Sequence, residues 1–302
     1  MSIPLGTYGR KKPVLHKCAA RVSLLDKFYN TNYTNYKMRK SVIYAEGMSK
    51  MIKKWNVTIP KITGEKTRKA YIYLPDSYKK EPDKRYPVLY MFDGHNVFFD
   101  TDATYGKSWG MREYMRKSKK QLIIVAVECN HEGNMRLSEY SPVDFESAHF
   151  GGKIKGRGRL YMQWLVNTLK PYIDAHYRTL PQREHTYIAG SSMGGLMSLY
   201  AAVQFNHVFS KAACLSPSLW TDPSKLLEMI AKAKLEPDTV IYMDYGSREM
   251  GNHYGHQANL MTVTQMLLMR SVNVTLRIVP GGDHSEASWE KQIPVFMEIL
   301  GI

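Results

Sequence analysis

From Trp55 onward the chain alternates apolar runs of strand length with helix-length amphipathic patterns, and no other feature narrows its possible folds so far. Strands are predicted at 55–59, 70–74, 88–92, 122–127, 186–189, 212–215, 240–244 and 274–279. The later runs are continuous and rich in Val and Ile, as suits strands covered on both faces of a parallel sheet. The first two alternate apolar with polar residues, which fits an antiparallel edge. Helices are predicted at 109–117, 160–177, 193–204, 223–234, 255–270 and 286–300. In the second of these, Tyr161, Trp164, Leu165, Thr168, Leu169, Tyr172 and Ile173 recur at helical spacing, and Pro171 is expected to kink the helix or start a new turn. Such alternation implies an α/β fold with right-handed crossovers. With no internal repeat and no Pro/Gly/Ser linker, one domain is expected over residues 51–302, preceded by an extension of residues 1–50.

Charge separates these two parts. The formal net charge is +15, and residues 1–54 hold twelve Lys/Arg against Asp26 and Glu46, a net +10. Basic residues there interleave with the tyrosines of FYNTNYTNY. A solvated arm is expected; a grip on nucleic acid or another anionic polymer is the alternative reading. The opening residues lack an apolar core of signal-peptide type. No apolar run is long enough for a transmembrane helix. Cys18, Cys129 and Cys214 are too few and too scattered for a disulfide framework or a zinc site, so a reducing, cytoplasmic setting is expected. Cys129 and Cys214 each follow a strand run and are expected to be buried.

The chemistry centres on Gly190-Ser191-Ser192-Met193-Gly194, which fits G-x-S-x-G with Ser192 in the middle. It follows the predicted strand HTYIAG and precedes the predicted helix MGGLMSLYAAVQF, the strand–turn–helix setting of a nucleophile elbow. A serine hydroxyl needs a base to take its proton. His284, between the last strand and the last helix, is placed for this. His95 and His131 also follow strands, but a chain order of Ser, acid, His excludes them. The acid should follow the strand in VIYMDYGSREMG, where Asp244 and Glu249 are both candidates; Asp283 is a weaker third, being adjacent to the histidine. An oxyanion hole needs two backbone N–H groups. Met193, at the start of a helix, should supply one. His95, in the loop Asp93-Gly94-His95-Asn96, should supply the other, with Gly94 letting the backbone turn.

Taken together, MFDGHNVF, RLSEYSP, TLKPYIDAHYRTLP, IAGSSMGGLMSLYAA, LSPSLW, YGSRE and GGDHSEASW resemble the esterase-D-like branch of the α/β-hydrolase superfamily. That branch includes feruloyl, acetylxylan and enterochelin esterases, S-formylglutathione hydrolase and mycobacterial mycolyltransferases. The resemblance covers residues 55–302. It implies an α/β-hydrolase fold, with a mostly parallel central sheet of about eight strands flanked by helices. It further implies a serine carboxylic-ester hydrolase with a Ser–His–acid triad and an acyl-serine intermediate, using no metal or organic cofactor. The family acid lies shortly after a glycine, and Gly246-Ser247-Arg248-Glu249 matches, which favours Glu249 over Asp244. An acyltransferase would use the same triad.

Trp109, Arg136, Tyr140 and Trp220 are expected on loops at the strand C-terminal ends, where open α/β sheets bind ligands. They are candidate contacts for a small-molecule, carbohydrate or siderophore ester; Arg136 would suit an acidic or phenolic one. His253 and His256 lack the further ligands that a metal site needs. Neither a membrane nor a nucleic acid is expected as a partner, and the oligomeric state is left open.

Overall fold

The computed structural model describes residues 51–249 and 253–302. The expected basic extension, with Cys18, lies outside the described residues. In chain order the strands are β1 (Ile52–Thr58), β2 (Thr67–Tyr73), β3 (Val88–Met91), β4 (Ile123–Val127), β5 (Phe145–Ser147), β6 (Gly152–Ile154), β7 (Thr186–Ser191), β8 (Lys211–Leu215), β9 (Val240–Gly246) and β10 (Asn273–Val279). All but β5 and β6 join one sheet, ordered β1-β2-β4-β3-β7-β8-β9-β10. β2 runs antiparallel to both β1 and β4. From β4 to β10 every pairing is parallel.

Each of the eight expected runs forms a sheet strand. β3, β4 and β7 are buried along their whole length, as their continuous apolar sequence requires. Alternation divides their side chains between two cores. Ile188, Ala212 and Ile241 face one, with Leu199 of the helix Met193–Gln204. Ala189, Ala213 and Tyr242 face the other, with Phe296. The parallel register sets Ser191, Leu215 and Asp244 side by side, so the turns after β7, β8 and β9 leave the sheet at one level.

The structure adds local detail at four places. The pattern at 160–177 is one continuous helical rod with a π-turn at its centre, Leu165–Leu169, between Gly158–Trp164 and Lys170–His176. Pro171 has no N–H for the Asn167 carbonyl, and the wider turn absorbs the mismatch, with Lys170 N–H donating to the Leu165 carbonyl. The expected helix at 286–300 is two, Glu286–Glu290 and Ile293–Ile299, because Pro294 cannot continue the first. β10 is the sheet edge and is only half covered, with Ile278 45 % exposed. The hairpin β5–β6 and the short helix Met135–Glu139 fill a stretch that carries no clear periodicity.

Candidate active site

Ser192 sits between β7 and the helix Met193–Gln204 at φ 57° and ψ −122°, a conformation costly for a residue with a Cβ. The surrounding backbone holds it there. Its N–H donates to the Leu215 carbonyl at 2.9 Å, and its carbonyl accepts from Leu196 and Ser218 at 3.0 and 3.1 Å. The turn is so tight that a Cβ on Gly190 would stand 2.6 Å from the Gly194 carbonyl. The Ser192 hydroxyl is 3.4 Å from that of Ser218.

Glu249 and His284 meet in the loops beyond β9 and β10. Nδ1–H of His284 donates to Glu249 Oε2 at 2.9 Å. Oε1 of the same carboxylate accepts from the Gly246 N–H at 2.7 Å and from the Ser216 hydroxyl. Burial pushes the Glu249 carboxyl up, but the bonds from His284, Ser216 and Gly246 outweigh it and hold the group below the usual range. Trp289 buttresses both partners: its indole N–H donates to the Ser216 hydroxyl at 3.0 Å, and its ring meets His284 edge-on at 5.0 Å.

Asp244 is placed differently. It is buried at the end of β9, accepting from the Ser216 N–H at 3.0 Å and the Tyr242 hydroxyl at 2.9 Å. Burial raises its carboxyl to about 7. Asp283 caps its own loop, accepting from Ser285 and Ser288 hydroxyls.

Across the cleft, β3 ends in the segment Asp93–Asn96. The left-handed residue here is Asp93, at φ 54°, and not the glycine. Gly94 is needed for a different reason: a Cβ there would lie 2.8 Å from the Val127 amide nitrogen. Arg136 grips both Asp93 oxygens, Nε to Oδ1 and Nη2 to Oδ2, each at 2.8 Å. Burial opposes the Asp93 charge, yet this fork keeps its carboxyl below the usual range. His95 and Met193 stand in the first turns of their helices, where no intrahelical carbonyl reaches their N–H groups.

A cleft of about 780 Å³ brings Ser192, Met193, His95, Glu249 and His284 together, with Arg136 and Trp220 also in its wall. Trp220 stacks on Phe150 from the β5–β6 turn, the rings 5.9 Å apart. Two expected contacts lie elsewhere. Trp109 is buried in the core against Trp289 and Phe296. Tyr140 is fully buried behind the Asp93 segment, its hydroxyl accepting from the Asp93 N–H at 3.3 Å. Arg136 is turned to Asp93, and it stands on a short helix where a loop was expected. Ser216, Ser218 and Trp289 carried no expectation of a role, although they fall in LSPSLW and GGDHSEASW. His256 lines the cleft and stacks on Tyr245.

The family model described as "Putative esterase" matches residues 62–299 of this chain. The chain belongs to that esterase family. This esterase is 24 % identical to the uncharacterized protein YbbA of Bacillus subtilis over 206 residues, 66 % of its own length and 76 % of YbbA. Among solved structures it superposes on the enterobactin and salmochelin hydrolase IroE with a TM-score of 0.60 at 21 % identity, covering 84 % of the esterase and 97 % of IroE. A ferulic acid esterase superposes with a TM-score of 0.61 at 16 % identity, covering 83 % and 96 %. The fold is that of the α/β-hydrolases, and the activity of the family is carboxylic-ester hydrolysis. Among the described residues no helix is long and apolar enough to cross a membrane.

Proposed function

We propose that this esterase works through an acyl-serine intermediate on Ser192, with His284 as base and Glu249 as the acid of the triad. The observation that carries the reading is the 2.9 Å bond from His284 to Glu249 in the same cleft as the strained Ser192 turn. With Nδ1 engaged by the carboxylate, Nε2 is the ring atom left to take the serine proton. The ionised Glu249 fixes that tautomer and stabilises the imidazolium. As Ser192 Oγ bonds to the ester carbonyl carbon, the carbonyl oxygen becomes an oxyanion received by the Met193 and His95 amides. The imidazolium then passes its proton to the departing alcohol. Water, deprotonated by the same imidazole, attacks the acyl-serine and frees the acid and the serine.

For substrate, the aromatic wall of Trp220 and Phe150 supports a small ester with an aromatic acyl or aryl part, the class to which ferulate and catecholate-siderophore esters belong. Residues 51–302 would carry all of this chemistry. A fluorophosphonate probe tests the nucleophile, with adduct expected on Ser192 and adduct on Ser191 refuting it. A panel of p-nitrophenyl, feruloyl, acetylated-sugar and trilactone-siderophore esters tests the class. Preference for acetylated sugar over both aromatic esters would refute it.

A further inference from the structure

One wall of the cleft holds three side chains that the proposed ester hydrolysis does not use; of these residues only His95 takes part, through its backbone amide. Single donor atoms of His95, Cys129 and His131 all lie within 4.8 Å of one another. His95 is 4 % exposed, and its Nδ1 is buried without a hydrogen-bond partner. Such an atom is costly unless something binds it. Its other nitrogen, Nε2, is 3.0 Å from the Thr104 hydroxyl. A proton on Nε2 would leave the Nδ1 lone pair available, with Thr104 fixing the ring, the usual support for a metal-bound imidazole. Cys129 is buried and free of any disulfide; burial and the Asp93 carboxylate, which accepts from its thiol, keep the proton on sulfur until a metal displaces it. The exposed His131 ring meets the His95 ring edge-on at 4.5 Å.

We propose that His95 Nδ1, Cys129 Sγ and a ring nitrogen of His131 form a binding site for a thiophilic divalent cation of the zinc class. One thiolate and two imidazoles suit Zn²⁺ or Co²⁺ and exclude Mg²⁺ and Ca²⁺, which prefer oxygen. Tetrahedral bonds of about 2.0–2.3 Å need donors about 3.4–3.7 Å apart, roughly an ångström closer than the outer limit here. His131, exposed on its loop, can supply that movement. Binding replaces the thiol proton by the metal and releases it to solvent. The charges of Asp93 and Glu128 favour a cation at His95, and those of Arg136 and a protonated His131 oppose it. Three protein ligands leave one coordination position, which would open into the ester cleft, since all three residues line it.

The test is titration of the chelator-treated, full-length protein with Co²⁺, followed by its thiolate-to-cobalt charge-transfer absorbance. One equivalent should produce the band, Zn²⁺ should displace it and Mg²⁺ should not. Cys129→Ser should abolish the band. His131→Ala, at an exposed position, should weaken binding about tenfold or more, and Thr104→Val about tenfold, as loss of a supporting partner does. Absence of a thiolate band, its persistence in Cys129→Ser or an unchanged affinity in His131→Ala would overturn the site. The readout is binding alone, so the result stands apart from whether Ser192 is the nucleophile.

Discussion

At the scale of single residues, Ser192 combines chemical and conformational demands. Its backbone angles suit glycine better than serine, and holding them costs about 1–3 kcal/mol. Ser192→Ala should lower kcat by about 10³-fold or more, because triad members act as a unit. Ser192→Gly should be equally inactive but relieve the strain, so that it melts at a higher temperature than Ser192→Ala. Equal melting temperatures would refute stored strain at this position. For the acid, Glu249→Gln should lower kcat by about 10²–10⁴-fold. Asp244→Asn should cost less activity and about 1–3 kcal/mol of stability, since its carboxyl group satisfies the Ser216 N–H and Tyr242 hydroxyl. A folded, inactive Asp244→Asn beside a near-normal Glu249→Gln would reverse the assignment. The elbow was legible because its glycines, serine and flanking periodicities are contiguous. The support given by Ser216 and Trp289 was not, because it joins residues 73 apart through a hydroxyl and an indole that have many commoner roles.

At the scale of elements, the candidate oxyanion segment is shaped from outside itself. Asp93 takes the left-handed turn, Gly94 lies flat against β4, and the short helix Met135–Glu139 sends Arg136 across to clamp Asp93. Removing one partner of such a pair leaves the other charge partly buried, at a cost of about 3–5 kcal/mol where burial is full. Arg136→Ala should therefore lower both melting temperature and kcat. Arg136→Lys should recover part of the stability and less of the kcat, because a single ammonium cannot hold both oxygens in the plane of the fork. Full recovery of kcat by Lys would show that charge alone matters. The eight strands of the main sheet were plain in the sequence, since each is an uninterrupted local pattern, whereas β5 and β6, three residues each, were not. Their order was not, because pairing β3 between β4 and β7 depends on contacts that no local periodicity records.

At the scale of the whole molecule, stability and charge are linked through the interior. Native Asp244 keeps its proton up to about pH 7, whereas an unfolded aspartate releases it near pH 4. Between those values the unfolded chain binds fewer protons, so this group's contribution to stability falls as pH rises. Asparagine does not titrate. The stability advantage of wild type over Asp244→Asn should thus narrow from pH 5 to pH 8 in denaturant melts; a constant gap would refute the raised value. Every candidate catalytic group lies beyond Phe92, so removal of residues 1–45 should leave turnover of a small soluble ester unchanged. Loss of turnover in a folded truncation would give that segment a part in the site.

The strand order also sets a timetable. The strands that carry Glu249 and His284 into the cleft are the last two of the chain, laid one after the other onto the free side of β8. A polypeptide made from its N-terminus therefore builds the serine turn early and the groups proposed to activate it late. Until β10 docks, Ser192 would be an ordinary alcohol, too weak a nucleophile at neutral pH to acylate itself on passing esters. Reactivity would arrive only once β10 has joined the sheet and brought the His284 loop to the cleft.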